Sequence, residues 1–405
     1  MSLLDGVFWL ITVLWVGIFF YNLICIKMAP SVPRTRTIEF ENSALRFAPG
    51  NAPFVSILVP ARNEAHRVLA ESVRSMLSQD YPAFEVIAVD DRSTDQTLEI
   101  LDGIANEDSR LKVIKGEALP EGWIGKPWAL QQAKTASQAE WLLATDADVI
   151  FKHDALSQAM SIALREGCDG LSLIPALSSQ GFWMKVAMPM AGWSIAVLFP
   201  YWRVNNPRSK VALGAGGFFL LRSAAHDLAG GYAAIRNEVI DDAASARLLK
   251  ESGFRFKIAA GDSLLSTPMY SGIGEFFEGF GKNAFVGSGS SVGKSLLLSA
   301  SNLCFTVFPA ITLVYLLLGS IVAGTVQHRS ILIASTAAYL AMVLAFIPVY
   351  RRAKEPVWCS FLALIGHLFL IVILLSSMVR ILTGKGVTWK SRTLYSRNDK
   401  QAAGR

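Results

Sequence analysis

Phe54-Val-Ser-Ile-Leu-Val-Pro-Ala-Arg-Asn-Glu64 is a short apolar run that ends abruptly in polar and charged residues. Two later stretches repeat the pattern: Phe84-Glu-Val-Ile-Ala-Val-Asp-Asp-Arg-Ser-Thr-Asp95 and Trp141-Leu-Leu-Ala-Thr-Asp-Ala-Asp148. Helical patterns lie between them, near Arg67 to Leu77, from Thr94, and from about Lys126, with a further short apolar run at Leu111-Lys-Val-Ile114. Short apolar runs alternating with helical stretches predict a doubly wound α/β sheet. Such sheets bind ligands at the carboxyl ends of their strands. The three polar endings are therefore expected to share one edge.

The chemistry at these endings is carboxylate chemistry. Ser93, Thr94 or Asp95 suits the N-cap of the following helix. Capping leaves Asp90 and Asp91 unexplained, because adjacent like charges after a buried strand cost energy unless a ligand or cation shares them. Asp146-Ala147-Asp148 places two carboxylates one residue apart where extended geometry ends, so both can turn oxygens toward one hard cation that keeps positions free for phosphate oxygens.

In order, Val55-Ser-Ile-Leu-Val-Pro-Ala-Arg-Asn-Glu64, Val89-Asp-Asp-Arg-Ser-Thr-Asp95 and Ala144-Thr-Asp-Ala-Asp148 resemble family 2 glycosyltransferases of GT-A fold, over about residues 52 to 285. The resemblance implies inverting transfer of a sugar from a nucleotide diphosphate donor, most simply a UDP-sugar. On the matching positions it implies that Pro60, Ala61 and Glu64 line the nucleoside pocket. Asp91, beside Asp90, would meet the base, and Asp146 and Asp148 would hold Mg²⁺ or Mn²⁺ on the diphosphate. Leu119-Pro-Glu-Gly-Trp-Ile-Gly-Lys126-Pro-Trp128 is similar to bacterial membrane glycosyltransferases associated with hopanoid and carotenoid biosynthesis, the hopene-associated type above all. Gly214-Ala-Gly-Gly217-Phe-Phe-Leu-Leu-Arg222 and Gly386-Val-Thr-Trp-Lys-Ser-Arg392 share that similarity. Lys126, in a Gly-flanked loop, can approach a phosphate closely as a point charge.

An inverting transfer also needs a carboxylate that takes the proton of the acceptor hydroxyl. Val239-Ile-Asp241-Asp242 opens a helical stretch where the family carries Glu-Asp, so Asp242 inherits the role of base and Asp241 stands one methylene short of the Glu. Two carboxylates at a helix N-terminus also stabilise the helix dipole, by about 0.3–1 kcal/mol each, and the two roles are compatible. Where many family members carry Q-x-x-R-W, this chain has Gly279-Phe-Gly-Lys282-Asn283. Lys282 can replace the Arg as a phosphate contact, but the Trp is missing, which weakens a processive polymerase reading. Ser288-Gly-Ser-Ser-Val-Gly-Lys-Ser295 resembles a phosphate loop only superficially, since it lacks the first Gly and no buried strand precedes it.

Composition accounts for the rest of the chain. Of 405 residues, 52% are hydrophobic and 17% charged, against the roughly 25% charged residues of soluble domains. The surplus lies in apolar blocks at Val7–Ile26, about Leu296–Val326, Ile331–Tyr350 and Val357–Leu382. Each is long enough to span a bilayer as a helix, so the domains are expected as an anchor (1–30), a linker (31–51), the GT-A domain (52–285), C-terminal spans (296–382) and a basic tail (383–405). Asp5 before the first span, against Lys27, Arg34 and Arg36 after it, places the N-terminus outside and the GT-A domain in the cytoplasm of an inner-membrane protein. Arg351, Arg352 and Lys354 agree with four spans, whereas the basic tail does not. That tail carries almost all of the net charge of +6, leaving no broad basic surface for nucleic acid. Phe182–Trp202 and Ile273–Phe280 are apolar and aromatic, and suit either a bilayer interface or a core. The expected partners are thus a nucleotide sugar, the bilayer and a membrane lipid acceptor. A processive polysaccharide synthase and an inactive membrane scaffold are the competing classes, separated by a polymer product and by absent UDP binding respectively.

Overall fold

The computed structural model describes residues 3–29, 51–178, 181–270, 272–326, 328–389 and 392–394. The linker charges Arg34 and Arg36 and the tail residues Lys390, Arg397, Lys400 and Arg405 lie outside them. In chain order the elements are α1 (Leu3–Met28), β1 (Val55–Ala61), α2 (Leu69–Leu77), β2 (Phe84–Asp90), α3 (Thr97–Glu107), β3 (Leu111–Lys115), α4 (Gly125–Thr135) and β4 (Trp141–Ala144). There follow β5 (Ile150–Phe151), α5 (Ala155–Arg165), β6 (Gly170–Ile174), β7 (Ala176–Leu177), α6 (Phe182–Leu198), α7 (Tyr201–Val204), β8 (Phe219–Arg222), α8 (Ser223–Leu228), α9 (Gly231–Ala234), α10 (Asp241–Glu251), β9 (Phe256–Ala260) and β10 (Leu265–Thr267). The C-terminal part holds α11 (Ile273–Gly287), α12 (Val292–Asn302), α13 (Phe308–Ala323), α14 (Arg329–Arg352), α15 (Ala363–Leu382) and a short hairpin, β11 (Val387–Trp389) and β12 (Arg392–Leu394).

The chain divides into two units, one of residues 29–178 and 199–269, the other of residues 1–28, 179–198 and 270–405. The first is built on a seven-stranded sheet of order β3-β2-β1-β4-β8-β6-β9. Its strands are parallel except β8, which runs antiparallel to both β4 and β6. Successive side chains of a strand point to opposite faces, and the two cores follow that alternation. Val55, Ile57 and Val59 of β1 lie in one apolar cluster with Val86, Ala88, Trp141 and Leu143, while Leu58 lies in the other with Ile87, Val89 and Leu142. A sheet covered on both faces needs apolar residues at nearly every position, which is why these strands read as continuous runs. The register pairs Ala61 with Asp90 and Leu58 with Ala144, so the predicted polar endings do emerge from one edge.

The second unit is helical. Four helices are long and apolar enough to cross a membrane: Leu3–Met28, Val292–Ala323, Arg329–Arg352 and Val357–Leu382. The block at about Leu296–Val326 is one helix of 32 residues, Val292–Ala323, interrupted by a π-helical turn at Leu303–Val307. Several polar groups of the helical unit are paired, as a water-free surrounding favours. Asn22 donates to the Ala345 carbonyl at 2.8 Å and accepts from Trp193 Nε1 at 2.9 Å, and Trp15 Nε1 donates to the Phe305 carbonyl of the π turn at 3.0 Å. Segment α6, which the sequence places inside the GT-A domain, packs in this helical unit instead. Val186, Met190 and Trp193 join the cluster of Phe8, Trp15 and Phe346, and a Cβ at Gly366 would come within 2.5 Å of Met190 Cγ. Helix α11 with Lys282 is also part of this unit, so the sheet unit ends at Met269 rather than near residue 285.

Leu143, fully buried between sheet and helices, tests the two-layer core. Leu143→Ala should destabilise the sheet unit by about 2–5 kcal/mol, read as a lower unfolding midpoint in detergent. A shift equivalent to less than about 1 kcal/mol would contradict a close-packed layer there.

Candidate active site

Three strand endings are tied to one another by hydrogen bonds before any ligand is considered. After β1, Asn63 takes a positive φ of 52°, and after β2, Arg92 takes one of 56°. Such left-handed conformations are costly for non-glycine residues unless their surroundings fix them. Here the two turns fix each other: Ser93 Oγ accepts from the Asn63 amide at 3.0 Å, Asn63 Oδ1 accepts from the Thr94 amide at 2.9 Å, and the Arg62 guanidinium donates to the Asp91 carbonyl at 2.6 Å. Asp95, one of the predicted caps, accepts from the amides of Ala65 and Thr97, both at 3.1 Å.

The predicted nucleoside-pocket residues lie along this joined edge. Pro60 and Ala61 close β1, with the Ala61 carbonyl accepting from the Asp91 amide at 2.7 Å. Glu64 is 4% exposed and its amide donates to Thr97 Oγ1 at 2.8 Å. The two adjacent aspartates differ. Asp91 is bound by the Arg92 guanidinium at 2.6 and 3.1 Å. Asp90 accepts the Ser93 amide through Oδ2 at 3.3 Å, and its buried Oδ1 has no hydrogen-bond partner among the described residues. An unmet buried acceptor is costly, and Asp90 therefore offers a place for an N–H or O–H of a ligand.

After β4, Thr145 anchors the acidic turn by donating through Oγ1 to the Gly217 carbonyl at 2.8 Å. Asp146 and Asp148 are then held by two cations. Lys126 Nζ lies 2.7 Å from Asp146 Oδ1 and 3.3 Å from Asp241 Oδ2, and Arg67 donates to Asp148 Oδ2 at 2.7 Å. Arg67 also lies 3.9 Å from Glu64 Oε2, a role the sequence does not disclose because its partner Asp148 is 81 positions away. Lys126 stands in the first turn of α4, where a cation opposes the helix dipole. Acidic neighbours make that position tolerable, and since Pro127 has no N–H and the Trp128 amide donates to the Ile124 carbonyl, the Gly125 and Lys126 amides are the ones this helix end can offer an anion.

Asp241 and Asp242 open α10 as expected. Asp242 Oδ1 accepts the Ala243 amide at 2.7 Å. Gly214 permits this approach, since a Cβ there would come within 2.5 Å of the Asp242 carbonyl. Burial, and after it the charge of Asp241, pushes the Asp242 carboxyl up to about 6, against the pull of Lys126. Burial works against the Lys126 charge, but Asp146, Asp241 and Asp242 together hold the ammonium well above its usual value. The structure thus gathers Lys126, Asp146, Asp241 and Asp242, with Asp148 in the same turn as Asp146; Lys282 lies on α11 of the helical unit.

Asp146 and Asp148 supply two hard oxygen donors suited to Mg²⁺ or Mn²⁺, but no group of three or more His, Cys, Asp or Glu side chains placed to hold a metal occurs among the described residues. The residues therefore fit an ion that completes its shell with phosphate oxygens and water rather than one caged by protein.

Residues 56–242, which hold every element of this cluster, match Glycosyl transferase family 2. The chain contains a family 2 glycosyltransferase domain. It is 34% identical over 187 residues to a beta-monoglucosyldiacylglycerol synthase of Nostoc sp. strain PCC 7120, covering 45% of this chain and 38% of that protein. It is 31% identical over 116 residues to the putative teichuronic acid biosynthesis glycosyltransferase TuaG of Bacillus subtilis, covering 29% and 44% respectively. The matched stretches span less than half the length of these curated relatives. A solved mannosyltransferase from Pyrobaculum calidifontis, in complex with GDP-Man and Mn²⁺, aligns over 94% of this chain and 99% of its own at 18% identity and a TM-score of 0.47.

In the glycosyltransferase domain the Lys126 charge is predicted to keep Asp242 from rising further. Lys126→Met should move the Asp242 titration above about 6, followed by carbon NMR of labelled aspartate. An unchanged midpoint would show that Lys126 does not act on Asp242.

Proposed function

We propose that the protein is an inverting, metal-dependent glycosyltransferase that moves a sugar from a nucleotide diphosphate donor, a UDP-sugar, to a hydroxyl of a membrane lipid. The observation that carries this reading is the cluster around Lys126, which sets a candidate base, Asp242, beside a candidate phosphate contact. Asp90, Glu64, Pro60 and Ala61 bind the nucleoside, with Asp91 held by Arg92 at their side. Lys126 and the N-terminal amides of α4 neutralise the diphosphate. Asp146 and Asp148 hold Mg²⁺ or Mn²⁺, which when bound supplies further positive charge to the diphosphate.

The acceptor O–H gives its proton to Asp242, the acceptor oxygen bonds to the sugar C1, and the C1–O bond to the diphosphate breaks with the electron pair leaving on the diphosphate. A carboxylate with an ordinary value near 4 is a weak base at neutral pH; one raised to about 6 is nearer the operating pH and accepts the proton more readily. Asp241 contributes through its charge on Asp242 and its pairing with Lys126. The sign of the pH dependence follows: Asp242 must be ionised, so transfer is full above about 6 and is lost as pH falls through that value.

The four apolar helices support a membrane setting and so a lipid acceptor. The GT-A domain faces the cytoplasm in this reading, as the charges flanking the first span imply. The Leu119–Trp128 segment favours a hopanoid or other isoprenoid lipid. A second reading, diacylglycerol, is favoured by the relatives named for that activity.

Membranes with the protein, incubated with labelled nucleotide sugars plus Mg²⁺ or Mn²⁺ and followed by lipid mass spectrometry, test both. One glycolipid is expected, reduced about 10²–10⁴-fold by Asp242→Asn and sharply by Asp148→Ala. A polymer product, or parent rates in both variants, would contradict the assignment.

A further inference from the structure

One cavity at the carboxylate cluster is lined by Lys126, Asp241 and Asp242 together with Thr145, His226 and Tyr232. It has room for on the order of one water. His226, on the short helix α8, is 7% exposed, and its Nε2 is buried without a hydrogen-bond partner among the described residues. The imidazole is held in place: its ring centroid lies 4.5 Å from that of Tyr232, and a Cβ on Gly231, whose φ is 62°, would come within 3.0 Å of Cε1. Its other nitrogen, Nδ1, lies 3.1 Å from Asp227 Oδ1. Asp227 is 56% exposed in its side chain and pairs with Lys134 at 3.1 Å.

The two ring nitrogens therefore face different surroundings. With its proton on Nδ1, the imidazole donates to Asp227 and turns an Nε2 lone pair to the buried side. Burial pushes His226 below its ordinary value, against the pull of Asp227, so the ring is neutral and able to accept. The charged and titratable groups around it are Asp227 and Lys134, which pair with each other, and Tyr232, Lys126, Asp241 and Asp242, which line the same cavity.

We propose that His226 is a positioning and proton-relay residue that acts through Asp242, carrying away the proton the base has taken from the acceptor. This rests on the reading of Asp242 as base. The protonated Asp242 gives its proton to a cavity water, which gives one of its own to His226 Nε2. The imidazolium releases its Nδ1 proton to Asp227 and from there to solvent. Asp242 returns to a carboxylate and the ring is left as its Nε2–H tautomer; when the products leave and water enters, Nε2 gives up that proton and Nδ1 takes one from solvent through Asp227, so His226 regains its Nδ1–H form and no electrons are exchanged. The need is physical, because a base sealed from water under bound substrates must discharge before the next turnover.

The full-length protein labelled with ¹⁵N-imidazole histidine tests the link without any turnover, since the sequence has five His and His226→Gln identifies the signal. A neutral ring protonated on Nδ1, whose Nε2 shift and titration change in Asp242→Asn, is expected. An Nε2–H ring, or one indifferent to Asp242→Asn, would overturn the proposal. In UDP-glucose transfer to diacylglycerol or hopanoid vesicles, His226→Gln should lower kcat about tenfold at unchanged donor KM. Added imidazoles should restore His226→Ala in proportion to their pKa. Parent kcat in His226→Gln, or a loss that no imidazole restores, would reject the relay. Parent activity in Asp242→Asn would instead reject the base itself.

Discussion

The ion pair of Lys126 with Asp146 and Asp241 is the constraint on which the site depends. Strand β4 and helix α10 each deliver two aspartates, and four carboxylates drawn toward one region repel one another unless a cation stands between them. Lys126 is that cation, 2.7 Å from one turn and 3.3 Å from the other. Arg67 does the same for Asp148 at the outer end of the β4 turn. In the proposed reading both cations meet the diphosphate, so the contacts that hold the site together are the ones a donor takes over. Because Lys126 and Asp146 remain partly exposed, solvent screens their attraction.

Much of this was legible because parallel strands leave a simple trace. A strand covered on both faces is apolar at nearly every position, and its break into Asp or Glu marks the edge where ligands bind. Thus Asp90, Asp146 and Asp148 could be placed at one sheet edge from sequence, and the β1–β2 and β1–β4 registers agree. The pairings made at that edge were not legible. Arg67 meets Asp148 across 81 positions, and His226 reaches the Asp242 cavity through two short helices that leave no periodic pattern. Nor does an identity of residue disclose which of two adjacent aspartates is satisfied: Asp91 is taken up by Arg92, while Asp90 keeps a buried oxygen unmet.

Segment α6 shows a different limit. It is apolar around its whole circumference and carries Pro189, so no amphipathic face separates a bilayer-surface helix from a packed one. Within the helical unit one part of α6 is packed, where Met190 meets Gly366 and the Tyr350 hydroxyl donates to the Val186 carbonyl at 3.0 Å. Lys282 matches its motif only in part and lies on a helix of the helical unit. The excess of hydrophobic residues is thus carried by four long apolar helices and the shorter apolar helix α6.

A structure of the protein with UDP bound measures the central claim most directly. The account predicts Lys126 Nζ within hydrogen-bond distance of the diphosphate, Asp90 Oδ1 accepting a hydrogen bond from the nucleoside, and Asp242 facing the diphosphate end without touching it. UDP lodged elsewhere, or a diphosphate out of reach of a Lys126 still bound to Asp146 and Asp241, would contradict it.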